Sequence, residues 1–295
     1  MARKDVHDPA PQADVDAWLC DLAGRLPRHH EVLVHLTKGV RDDPRVVQLS
    51  VGCSIGRGTA DELSDLDCEI SLEPNAWPLG LELVEPLVRS AGDVVDVLHH
   101  RWSESGTGQH RRTAVLYENG IQLDLMVWPV SVWSGMHPPG TVVLYATRDV
   151  FTRPWDVTRA APTPEQLHEW FFLGWWALLD ADKYLRRGSP WEARQQLELA
   201  RDAIWRLAAA TQKLPFAEYG ITTLLDAPEP RLPSEAIATA ADLDPTRLRA
   251  AVERCAELLG AQWASAVEAN PGAAPGTSSR LVMWARDRLR LQRMP

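Results

Sequence analysis

Two aspartates one residue apart, Asp65 and Asp67, open an apolar run in the stretch GCSIGRGTADELSDLDCEISL at 52–72. In an extended strand alternate residues share a face. Asp65, Asp67 and Glu69 therefore project to one side, and Leu66, Cys68 and Ile70 to the other. Neighbouring carboxylates repel unless a cation neutralises them. Magnesium suits such a pair, because it prefers hard oxygen ligands and keeps positions open for water or phosphate. Upstream, Ser54, Gly56 and Gly58 make a small-residue turn. Backbone N–H groups in such a turn approach phosphate oxygens closely. The Ser54 hydroxyl and the Arg57 cation extend the same cradle. Turn, strand and paired acids together predict a site for a triphosphate and its magnesium.

A third acid belongs to two-metal phosphoryl chemistry. The run IQLDLMVW at 121–128 offers Asp124. A lone acid among apolar neighbours is costly to bury without a partner. Metal shared with Asp65 and Asp67 is one partner, and a buried salt bridge is another. Taken alone, Asp65 and Asp67 also read as a turn acid and a helix cap, and Arg57 as a surface arginine. Glu69 reads as a structural or solvated acid rather than a ligand.

In order and spacing, Ser54, Asp65, Asp67 and Asp124 resemble the signature of the nucleotidyltransferase superfamily that includes DNA polymerase beta. That signature is a Gly-Ser pair, a spacer, Asp-x-Asp and a carboxylate on a later strand. The run RGTADELSDLD at 57–67 is similar to small bacterial members. These are the aminoglycoside and lincosamide nucleotidyltransferases and the minimal enzymes of toxin–antitoxin pairs. One residue departs from the pattern: Cys53 stands where glycine is usual, and the glycine lies one place earlier at Gly52.

The run LLDADKYLRRGSPWEARQQLELARDAIWRL at 178–207 resembles the helical substrate domain of the antibiotic-modifying members. The resemblance implies that Lys183 reaches the triphosphate. It implies that Asp180, on the same helical face, meets a cationic substrate or acts as base. A solvated helix end is the rival reading of Lys183. The activity implied is Mg²⁺-dependent transfer of AMP from ATP to a hydroxyl of a small, aminoglycoside-like molecule. Asp65 and Asp67 would hold Mg²⁺, and Asp124 would complete a second metal site or help deprotonate the acceptor. The alternatives are a protein adenylyltransferase of the antitoxin type and a nucleotide sensor without transfer activity.

Composition sets the outer limits. At 295 residues, 45% hydrophobic and 24% charged, the chain has ordinary globular composition and room for two domains. Thirteen tryptophans imply a sizeable core, with Trp170, Trp175 and Trp176 on several faces of one helix. The net charge of −9 falls wholly in the first 150 residues, since acids and bases balance after them. Such a surface suits a cation or a metal. Without a basic stripe it argues against nucleic acid. The aromatic and basic residues around Trp284 read as a solvated face with a buried tryptophan.

Cys20, Cys53, Cys68 and Cys255 are scattered, with no CxxC pair, which argues against structural zinc and a disulfide framework. The pairs His29–His30 and His99–His100 lack a third metal ligand at suitable spacing and read as surface or strand-end residues. His168 reads as a packing or cap residue. With no apolar signal core and no apolar run near the roughly 20 residues that cross a bilayer, a reduced, cytoplasmic protein is expected, either monomer or homodimer.

Certain elements must position these groups. Strands are expected at 46–51, 66–72, 94–99, 114–118, 121–128 and 142–145, with Asn119-Gly120 turning a tight hairpin. A helix is expected at 15–26, capped by Asp14, and another at 77–90. After a loose tail at 1–11 and this mixed sheet comes a linker at 152–166. Helices follow at 165–187, 191–213, 248–267 and 279–290, with loops at 226–240 and 270–276. The fold class is α+β: an N-terminal mixed-sheet domain over 1–150, then an all-α helical bundle over 151–295, with a ligand cleft between them.

Overall fold

The computed structural model describes residues 12–76, 80–101, 110–132, 140–148, 150, 161–270, 272 and 278–289. The expected tail at 1–11, the first turn of the helix expected at 77–90, most of the linker, the end of the last helix and the loop at 273–276 lie outside the described residues. The chain divides into two compact units, Met1–Trp155 and Asp156–Pro295. The fold is α+β.

In the first unit the order is α1 (Gln12–Arg25), α2 (Pro27–Arg41), β1 (Val46–Val51), α3 (Cys53–Arg57), β2 (Leu66–Leu72), α4 (Gly80–Ser90), β3 (Val94–Arg101), β4 (Arg111–Tyr117), β5 (Gln122–Pro129) and β6 (Val142–Ala146). The six strands form one sheet in the order β3-β4-β5-β2-β1-β6. β2 and β5 run parallel, and the other neighbours antiparallel. Alternation in β2 sends Leu66, Cys68, Ile70 and Leu72 into the core, where they are at most 1% exposed. They pack with Leu49, Leu125 and the helical residues Leu22, Leu33 and Leu36. Each leucine or isoleucine side chain buried this fully contributes about 1.5–3 kcal/mol. The opposite face of the sheet carries Asp67 and its register partner Asp124.

The helix α2 was not among the expected elements. Pro27 sits in its first turn, where the missing N–H costs nothing. Val32, Leu33, Leu36 and Val40 then make a buried stripe at helical spacing. His29 is 1% exposed, which corrects its reading as a surface residue. Asp14 lies in the first turn of α1 rather than at its cap. His99 lies within β3, its ring nitrogens 2.6 Å from Glu85 Oε2 and 3.0 Å from Thr113 Oγ1.

The second unit is helical: α5 (Pro164–Arg186), α6 (Pro190–Thr211), α7 (Ile221–Leu225), α8 (Pro245–Ala269) and α9 (Ser278–Leu289). Thr163 and Gln166 form a reciprocal capping box that starts α5. Trp175 and Phe171 are fully buried, and Phe171 stacks on Trp263 of α8 with ring centroids 4.4 Å apart. Gly174 lies at this crossing; a Cβ there would come within 3.0 Å of Ala203 and Leu259. Asp182, 6% exposed, pairs with Arg186 at 2.8 Å and with Arg249. The stretch expected as loop at 226–240 contains a 3-10 turn, Ala236–Thr239. Trp284 is 56% exposed, against the expectation of a buried tryptophan. Among the described residues no helix is long and apolar enough to cross a membrane.

Candidate active site

The parallel β2–β5 pair sets Asp67 directly opposite Asp124. Adjacent strands lie about 4.8 Å apart, so two half-buried carboxylates share one patch of the sheet. Asp65 is exposed, two residues before Asp67, where the chain enters β2. The Asp67 carboxyl is held above its ordinary value. Burial is the largest cause, followed by the charge of Asp65, with Asp124 adding to it. The Cys53 thiol, donating to Asp67, and the charge of Arg112 act in the opposite direction. The three acids expected from the sequence are thus brought into one electrostatic neighbourhood.

Their chemistry fits a hard divalent cation, since each offers carboxylate oxygens and the charges of Asp65 and Asp124 raise the Asp67 carboxyl, offset only in part by Cys53 and Arg112. They do not form a finished cage: among the described residues no group of three or more His, Cys, Asp or Glu side chains is placed to hold a metal ion. Asp124 is engaged instead by Arg112 of β4. Arg112 Nε donates to Oδ1 at 2.7 Å, and Nη2 lies 2.6 Å from Oδ2. This two-pronged geometry is the strongest form of arginine–carboxylate pairing. The salt-bridge alternative for Asp124 is therefore present in this structure. Arg112 was not among the expected site residues, although the hairpin register reveals it: Ala114 sits opposite Asp124, so Arg112 lies on the same face two residues away.

The turn before β2 is built from close backbone contacts. Gly52 N–H donates to the Asp67 carbonyl at 2.9 Å. Cys53 follows with φ 50, a conformation that suits glycine and strains other residues. Although Cys53 is exposed as a residue, desolvation of its thiol within the turn, then the charge of Asp67, pushes that thiol up to about 12. Gly56 is small for a local reason, since a Cβ there would sit 1.8 Å from the Gly140 carbonyl oxygen. Ser54, half-buried in α3, uses its carbonyl to accept N–H groups of Thr59 at 3.0 Å and Ala60 at 3.1 Å. Arg57 is exposed at the end of α3, and its charge reaches Cys53.

Two further residues outside the expected set brace the acids. Arg28 of α2 donates to the Asn119 carbonyl at 2.8 Å and to the Glu62 carbonyl at 3.1 Å. It thereby ties the loop before Asp65 to the hairpin before Asp124. The His29 ring meets the Ser64 carbonyl at 2.7 Å, one residue from Asp65. Glu69 is half-buried on the Asp67 face, and burial and then the Asp67 charge raise its carboxyl to about 7.

In the second unit, Lys183 Nζ donates to Asp180 Oδ1 at 2.7 Å and lies 4.5 Å from the centre of the Tyr184 ring. Asp180 and Lys183, expected to serve substrate and triphosphate, are thus paired with each other on α5. His168 is exposed on the same helix, its ring 6.4 Å from that of Phe172.

No protein-family model matches the chain, and no curated protein does. Among solved structures it is similar to an aminoglycoside 6-adenyltransferase from Bacillus subtilis, with 14% identity, 89% of this chain and 97% of that chain covered, and a TM-score of 0.39. It is also similar to a nucleotidyltransferase-like protein from Exiguobacterium sibiricum, with 14% identity, 79% and 74% of the two chains covered, and a TM-score of 0.34.

Proposed function

We propose that this chain is a nucleotidyltransferase that moves a nucleoside monophosphate from a triphosphate, ATP by preference, to a hydroxyl of a small cationic acceptor. The observation that carries this reading is the pairing of Asp67 with Asp124 across β2 and β5, with Asp65 at the mouth of the same patch.

Asp65 and Asp67 are the residues that would hold Mg²⁺. When bound, the ion supplies Lewis-acid stabilisation of the phosphoryl oxygens and neutralises the acids. The protein groups do the rest. Ser54 and the short turn of α3 donate hydrogen bonds to phosphate, and Arg57 adds a cation at its rim. The acceptor oxygen forms a bond to the α-phosphorus, and the bond from that phosphorus to the bridging oxygen breaks. Pyrophosphate leaves with the bonding electrons, while the hydroxyl proton passes to Asp124. Holding the acceptor in line with the scissile bond provides much of the rate. The acidic first 150 residues favour a cationic acceptor, an attraction screened beyond about 8–10 Å by salt. Asp180 and Lys183 are proposed to serve acceptor and triphosphate only on the strength of the motif resemblance. An antibiotic-modifying role is the form of this activity that the resemblance favours.

The test is a pyrophosphate-release screen crossing four nucleoside triphosphates with a library of aminoglycosides, lincosamides and sugars. Release with at least one pair, lost in Asp67→Ala, is expected. Release that survives Asp67→Ala at the wild-type rate would defeat the proposal.

A further inference from the structure

We infer that Arg112 is an internal counter-cation of the carboxylate patch, holding Asp124 in the metal-free protein and competing with a divalent ion for its oxygens. This rests on the nucleotidyltransferase reading and extends it to a residue outside the resembling motif. Both Asp124 oxygens are engaged, at 2.7 and 2.6 Å. The guanidinium is rigid, permanently charged and matched to a carboxylate fork. It comes from β4, next to β5 in the sheet, so its place is set by strand register rather than by a loop. Its charge also reaches Asp67.

Charge balance gives the pair its consequence. Asp65, Asp67 and Asp124 carry three negative charges when ionised. Arg112 offsets one, and the remainder matches one divalent ion. Full use of Asp124 by a second ion requires the guanidinium to yield. Arg112 thus limits cation loading before nucleotide arrives, and it orients Asp124 for the acceptor. It acts through Asp124 and is a positioning residue.

The test uses Mn²⁺ alone as the probe, titrated into the nucleotide-free full chain and read by electron paramagnetic resonance. Arg112→Met keeps bulk and removes charge. It is expected to tighten Mn²⁺ binding about tenfold or more, the scale on which groups around metal ligands act. Arg112→Lys, which keeps the charge, is expected to stay nearer wild type. The tightening should vanish when Asp124→Asn is added. Melting curves of both Arg112 variants establish that they fold; Arg112 is half-exposed, with 39% of its side chain accessible. Mn²⁺ binding to Arg112→Met that equals wild type or is weaker overturns the inference. Asp67→Asn separates the two levels. If it abolishes Mn²⁺ binding while Arg112→Met fails to tighten it, the Arg112 inference alone falls. If Asp67→Asn leaves binding untouched, the site reading falls with it.

Discussion

Asp67 and Asp124 are direct register partners in the parallel β2–β5 pair, on the face of the sheet opposite the hydrophobic core. A fold organised only for stability gains little from this. A half-buried acid beside other carboxylates is costly to ionise, and Asp67 is held above its ordinary value, by burial first and then by the charge of Asp65, with Asp124 adding to it. Such strain concentrates at functional sites.

Removing one of these charges should therefore trade function for stability. In Asp67→Asn, divalent-dependent pyrophosphate release is expected to fall by about 10²-fold or more. The sign of the stability change follows from the raised carboxyl. A group protonated more readily when folded stabilises the fold at low pH, and that contribution is lost as pH rises through its folded value. At neutral pH and without metal, Asp67→Asn should therefore melt at a higher temperature than wild type. A lower melting temperature contradicts the electrostatic description.

Glu69 gives the sharper pH test. Its carboxyl moves from 4.5 to about 7, so folding favours the protonated form. Its contribution is complete below about pH 4.5 and declines until about pH 7, where the penalty levels off. Glu69→Gln removes the titration. In chelator-treated protein its advantage over wild type should be near zero at pH 4, grow through pH 5–7 and then plateau at roughly 3 kcal/mol. Urea unfolding across that range measures it. A constant difference at every pH would remove Glu69 as the cause.

Cys53 carries a backbone strain that glycine would not. With φ 50, Cys53→Gly is expected to stabilise the protein by about 1 kcal/mol, less what the thiol's hydrogen bond to Asp67 contributes. Cys53→Val, β-branched at the same φ, should destabilise it. Denaturant midpoints of the two variants should fall on opposite sides of wild type.

The strands were legible because their patterns are local. LDCEISL alternates, and 66–72 is the observed β2. VVQLSV is a buried run, and 46–51 is the observed β1. The helix α2 was hidden because its stripe shares the segment with His29 and Thr37, polar residues that bury by bonding carbonyls of Ser64 and Leu33. That Asp65, Asp67 and Asp124 lie near one another was legible from spacing. Arg112 was not, because its tie to Asp124 exists only once the hairpin aligns β4 with β5. Arg28 acts through backbone carbonyls at Glu62 and Asn119, a relation no side-chain motif encodes.

The helical unit has its own test at Gly174. Its Cα lies where α5 meets α6 and α8, and an added Cβ already reaches 3.0 Å from Ala203 and Leu259. Gly174→Val should cost about 1–3 kcal/mol by overpacking. Gly174→Ala should cost less, since one methyl demands a smaller shift. Calorimetry of the two variants orders them.

The central claim is that Asp65 and Asp67 hold the divalent ion of a bound triphosphate. Crystals grown with Mn²⁺ and a non-hydrolysable ATP analogue test it most directly, through anomalous scattering from the ion. The expected peak lies in bonding contact with carboxylate oxygens of Asp65 and Asp67 and with the analogue's phosphates, with Asp124 beside it. A nucleotide bound with its ion away from these acids, or no ion there at saturating Mn²⁺, would contradict it.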